Sequence, residues 1–222
     1  PFEPLKIPVF RMLWIVVVIT TVCMWMNDVA AAWMMTSLTL DPIWVALVQT
    51  AATLPMFMLG LPSGALADVL DRKWYLFFTQ CWLATSATML YLAVVFELMS
   101  IPLLLALTLM NGIGLAMRWP IYGALIPETV PRVQLPQAQA LNSVATNLSR
   151  IFGPLVAGLL IASAGTEWVF AINAVLSSCC AYAVFRWKRV HTPDPLGKEP
   201  LLSAMRVGLQ YVRQSTTLRG LL

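Results

Sequence analysis

Charge is the scarcest commodity in this chain. Of 222 residues only 14 are Lys or Arg and 10 are Asp or Glu, 11 % in all, where a soluble domain carries about a quarter. A water-exposed surface of ordinary composition is therefore excluded. There is one histidine, His191, so a catalytic Ser/His/Asp set or a histidine-rich metal site has little to draw on. The four cysteines, Cys23, Cys81, Cys179 and Cys180, lie inside apolar runs without metal-ligand spacing, and read as small apolar fillers. No phosphate-cradling Gly-Lys-Ser/Thr loop occurs, which leaves ATP-driven chemistry without support. The expectation is no enzyme activity, no cofactor and no metal.

What is abundant is apolar sequence: 59 % hydrophobic residues and a mean hydropathy of +0.78. A bilayer core takes about 20 apolar residues per helix. Six runs reach that length, at 12–35, 43–66, 74–96, 101–126, 141–162 and 168–186. The first is too long for a signal peptide and no small-residue cleavage site follows it. The fold class is an all-α, six-helix transmembrane bundle. If the spans alternate, Lys6, Arg11, Arg72, Lys73, Arg132, Arg186, Lys188 and Arg189 fall on one side, with Asp41, Glu97 and Glu167 opposite. That is the positive-inside pattern, so the N-terminus is expected in the cytoplasm and the partner is membrane lipid, not nucleic acid.

Residues 1–189 read as the bundle, 190–200 as a proline-rich cytoplasmic linker, and 201–222 as an amphipathic helix with Arg206, Arg213 and Arg219 on its polar side. The chain starts at Pro1 and stops where Leu221-Leu222 could begin another span, so a longer protein with a further C-terminal half is expected.

The block Gly64-Ala-Leu-Ala-Asp68-Val-Leu-Asp71-Arg72-Lys73 reads as a tight aqueous turn between the second and third spans, with Gly64 letting two helices approach. Intramembrane polar residues are the other candidates. A charge at the bilayer centre costs about 2.5–3.5 kcal/mol on insertion scales and so faces a cavity. Asn27 and Asp28 in the first span suit a proton carrier or a cationic-substrate site, or else a helix end at the outer interface. Gln49 adds polar lining in the second. Arg118 shares a helix face with Thr108, Asn111 and Tyr122, and either lines a central pathway or snorkels to the interface. Arg150, with Asn142 on its face, is expected to project into that pathway, binding an anionic group or pairing with Asp28 or Glu128, or else to snorkel. Gly112, Gly114, Gly153, Pro154 and Gly158 read as helix-packing or gating positions, with Gly153-Pro154 removing a hydrogen bond and a side chain together.

Several of these residues carry a resemblance. Gly64, Asp68, Arg72 and Lys73 resemble the loop signature between the second and third helices of the major facilitator superfamily, with Val69 and Asp71 departing from it. Gly153-Pro154-Leu-Val-Ala-Gly158, Ala140-Leu-Asn-Ser143, Phe170-Ala-Ile-Asn173 and the Pro120…Pro127-Glu128 run resemble its drug- and siderophore-exporter branch. Thr108 stands where an arginine is common in the family. The resemblance implies half of a twelve-helix carrier built from two inverted three-helix repeats. It also implies proton-coupled export of small amphipathic compounds across a bacterial inner membrane, and a cytoplasmic latch in which Asp68 engages the other half. A non-transporting scaffold or sensor module, a lysophospholipid carrier, and an Asp68 that only shapes its loop remain the alternatives.

Overall fold

The computed structural model describes residues 2–188. The linker at 190–200 and the amphipathic helix at 201–222 lie outside the described residues, as does the side chain of Asp68. Six helices follow one another: α1 (Pro8–Leu38), α2 (Pro42–Val69), α3 (Arg72–Val95), α4 (Ile101–Thr129), α5 (Leu135–Ser163) and α6 (Thr166–Arg186). All six are long and apolar enough to cross a membrane. Among the described residues there is no strand, as a lipid environment requires of a single open chain whose backbone groups must be satisfied internally.

Short local devices set the helix ends. Asp41 caps α2 by accepting from the Ile43 N–H at 3.0 Å, with Pro42 in the first turn, where its missing donor is not needed. Gly165, at φ +103°, turns the chain between α5 and α6 in a conformation that favours glycine. The α2–α3 connection is tighter than the gap between the apolar runs 43–66 and 74–96. Gly64 and Asp68 are within α2, which continues to Val69, and only Leu70 and Asp71 separate the helices. Asp71 explains the abrupt restart: its carboxylate accepts from the N–H groups of Lys73 (2.9 Å) and Trp74 (3.3 Å). Gly64 opens no close approach either, since a Cβ there would meet nothing within 4 Å. The connection between the runs 101–126 and 141–162 is likewise shorter, because α4 runs to Thr129 and α5 starts at Leu135 with one 3-10 turn between them.

The packing repeats. α2 packs on α4 and α5 on α1; α3 lies against α4 and α6 against α1; α3 and α6 pack on each other. Exchanging α1–α3 for α4–α6 maps this scheme onto itself, which is the arrangement of two three-helix repeats. Along the bundle, an apolar cluster at one end joins Leu13, Val16, Leu76, Ile121, Leu125 and Val184. A second at the other end joins Met26, Ala30, Met35, Leu90, Leu104 and Phe170. In chain position, each of α1, α3, α4 and α6 passes through a stretch of buried polar residues between its two apolar segments.

Candidate functional site

That middle layer holds Thr20 of α1, Gln80 and Ser86 of α3, Thr108, Asn111 and Arg118 of α4, and Asn173 and Ser177 of α6, all buried. The hydroxyls of Thr20 and Ser86 satisfy themselves on backbone carbonyls of their own helices. The amides reach across: Asn173 donates from Nδ2 to the carbonyl of Cys23 at 3.2 Å, and Gln80 from Nε2 to the Tyr122 hydroxyl at 3.5 Å. A cavity of about 20 Å³ opens between Thr20, Cys23, Asn111, Asn173 and Ser177. It is large enough for about one water molecule and far too small for a drug or siderophore.

The predicted pathway residues therefore divide. Asn27 (4 % exposed), Asn111 and Arg118 (1 %) face the inside of the six-helix bundle, and Asn142 lines a small apolar pocket with Phe10, Trp14 and Tyr122. Gln49 and Arg150 are exposed, and Asp28 is half-buried. Arg118 does not snorkel: it is buried, its guanidinium lies 5.7 Å from the ring centres of Trp119 and Tyr122, and among the described residues Nε and Nη1 have no hydrogen-bond partner. Arg150 lies outside the interior of the six-helix bundle. It is exposed and sits over the Trp25 ring of α1 at 5.2 Å, one turn from Asp28, with no ion pair between the two. Glu128 is held instead by Arg72.

That second cluster ties the end of the bundle at the α2–α3 turn. Arg72 pairs with Glu128 of α4, and donates to the carbonyls of Ala67 (3.3 Å) and Ala124 (3.2 Å). It thus places a positive charge at the C-terminal end of α2, where the helix dipole favours one, and ties that end to α4. Lys73 lies over Trp74 at 5.3 Å. Nearby, Ser63 links α2 to both neighbours, bonding the Tyr75 hydroxyl (3.0 Å) and the Met117 carbonyl (3.1 Å).

Three glycines mark close helix contacts. A Cβ at Gly112 would lie 2.6 Å from the Ala52 carbonyl oxygen of α2, and one at Gly153 2.5 Å from the Trp25 Cβ of α1. One at Gly114 would meet the side chains of Leu83 and Trp82 of α3 at 2.8 Å. At Gly158 it would meet nothing within 4 Å, so Gly158 is not a packing position among the described residues. Gln80, Ser63, Tyr75 and Ser177 were not foreseen from sequence. The available signal was a lone amide or hydroxyl in an apolar span, which needs a partner in hydrocarbon.

Six membrane-length helices in two matching triplets, tied by Arg72–Glu128, define a transmembrane bundle built from two three-helix repeats. The comparisons place it further. The family model described as transmembrane secretion effector matches residues 1–222, and the chain belongs to that family of the major facilitator superfamily. It is similar to the MFS-type transporter YfiS of Bacillus subtilis (30 % identical over 189 residues, 82 % of this chain and 44 % of YfiS). It is also similar to the staphyloferrin A transporter of Staphylococcus aureus (24 % over 153 residues, 68 % and 38 %). A third relative is the multidrug efflux pump Tap of Mycolicibacterium fortuitum (29 % over 186 residues, 79 % and 45 %). The chain spans less than half the length of each.

Proposed function

We propose that this chain forms the N-terminal half of a secondary active exporter that expels small amphipathic compounds across a bacterial inner membrane. Its basic ends lie in the cytoplasm, and the proton gradient drives it. The two halves rock against each other around a site between them. The observation that carries this reading is the division of polar residues. Among the described residues the cavity in the polar layer measures about 20 Å³, too little to hold a drug-sized substrate. Gln49 and Arg150 meanwhile stand exposed on helices whose other exposed residues are mostly apolar. Polar side chains at that depth call for a water-lined pathway, and a second half supplies its other wall.

In this reading Asp28, half-buried and without an ion-pair partner among the described residues, is the proton carrier, and Arg150 holds the Trp25 ring beside it. Asp68, with Arg72 and Lys73, forms the cytoplasmic latch against the other half. The names of the relatives, one a siderophore transporter and others multidrug pumps, support a choice among those substrate classes.

The test is accumulation of dyes, macrolides and siderophores in efflux-deficient bacteria expressing the full-length protein. Lower accumulation of at least one class, abolished by dissipating the proton gradient, is expected. Unchanged accumulation of every compound despite confirmed membrane insertion overturns the reading. Asp28→Asn is expected to retain binding while uncoupling efflux from pH; unaltered pH dependence removes Asp28 from the mechanism. Asp68→Leu is expected to abolish efflux without affecting insertion.

A further inference from the structure

Larger than the polar layer's cavity is a groove of about 260 Å³ on the outside of the bundle, between α1 and α6. Met12, Ile15 and Ile19 form one wall, Cys179 and Ala183 the other, and Arg11 stands at one end. Among the described residues no Asp or Glu lines it. From Pro8 to Ile19 the α1 wall is ~16 Å long at 1.5 Å per residue. That is half of the ~30 Å hydrocarbon core, so the groove is one leaflet deep.

Its mouth is basic on both sides. α6 runs antiparallel to α1, and its C-terminal Trp187 shares a cluster with Leu13 and Val9 near the start of α1. Residues 179, 183 and 186 recur at i, i+4 and i+7, which lie on one helix face. Arg186 therefore extends the α6 wall to the end where Arg11 extends that of α1. Both arginines are exposed, and Arg186 rests 6.0 Å over the ring of Tyr182. Lys188 follows two residues on.

An apolar slot one leaflet deep, flanked by two guanidiniums at the interface, matches an acyl chain below a phosphodiester. Guanidinium forks suit phosphate oxygens bidentately, and basic pockets between membrane helices select anionic headgroups. We propose that the α1–α6 groove is a binding site for an anionic phospholipid of the leaflet at the basic end of the bundle, held by Arg11 and Arg186. Charge argues against the chain's own residues 189–222 as occupant. That segment carries Arg189, Lys198, Arg206, Arg213 and Arg219 against only Asp194 and Glu199, a basic balance that two arginines at the mouth repel. The proposal does not depend on what the protein exports.

The experiment places a photoreactive benzoylphenylalanine at position 15, on the exposed part of the groove wall, in the full-length protein. The protein is reconstituted in vesicles of equimolar dioleoylphosphatidylglycerol and dioleoylphosphatidylcholine, and cross-linked lipid is read by mass spectrometry. Preferential labelling of phosphatidylglycerol, by about threefold or more, is expected. The preference should vanish in Arg11→Gln/Arg186→Gln while total lipid labelling persists, and should survive in Arg11→Lys/Arg186→Lys, which keeps both charges. Equal labelling of the two lipids, cross-links to residues 189–222, or a preference unchanged in the double Gln variant overturns the proposal.

Discussion

The two long seams of the bundle, α2 against α4 and α1 against α5, are equivalent under exchange of the two triplets, yet they close in different ways. At the α2–α4 seam the glycine is Gly112 on α4, and it faces the carbonyl oxygens of Ala51 and Ala52, backbone against backbone. At the α1–α5 seam the glycine sits on the other member of the pair, Gly153 of α5. It faces the Trp25 Cβ and the Val22 carbonyl, with Arg150 one turn away over the Trp25 ring. The repeat thus preserves the closeness of each seam rather than the helix that supplies the gap. Small residues drive helix association in lipid because packing replaces the hydrophobic effect there. That need can be met from either side.

Substitutions can separate the seams. Gly112→Val is expected to have the largest effect, about 3 kcal/mol of stability, because the nearest obstacle is a backbone carbonyl, with a second carbonyl and the Pro55 ring behind it, and the helices must part. A detergent-solubilised thermal melt of the full-length protein measures it, and a loss within error would mean that α2 and α4 can separate freely. Gly153→Ala is expected to cost about 2 kcal/mol. Here the obstacle is the first carbon of a side chain, so Trp25→Gly in the same protein should recover part of the loss while Trp25→Ala, which keeps that carbon, should not. A double-mutant cycle gives the coupling, and purely additive effects would break the assigned contact. Gly114→Ala should cost less, about 1 kcal/mol, since the Leu83 and Trp82 side chains can rotate away. Gly158→Ala should be neutral or stabilising by up to about 1 kcal/mol through helix propensity. A clear destabilisation would show that its open face packs on something beyond residues 2–188.

Element by element, the helices were legible because lipid imposes a length and an apolar composition that six runs meet, and prolines at 42 and 102 marked two starts. The ends were less so. Asp71 looked like a departure from a loop signature, and only its bonds to Lys73 and Trp74 identify it as the cap that lets α3 restart two residues after α2. Among candidate site residues, Asn111 and Arg118 were placed on one helix face from spacing, and both are buried. Spacing alone could not separate Gln49 and Arg150 from them. A polar residue in a membrane helix must find an aqueous or protein environment, but the pattern does not say on which side of the helix that environment lies.

The amino-acid order alone decided that the chain lives in a membrane as six helices with its basic connections on one side. Length, hydropathy and charge are properties of each segment and need no neighbour to express them. Which helices touch, which glycine closes each seam, whether an arginine is buried or exposed, and that Arg72 belongs to Glu128 were decided by tertiary structure. Each is a relation between segments far apart in the chain, where one residue's burial is set by the surface that another helix brings to it.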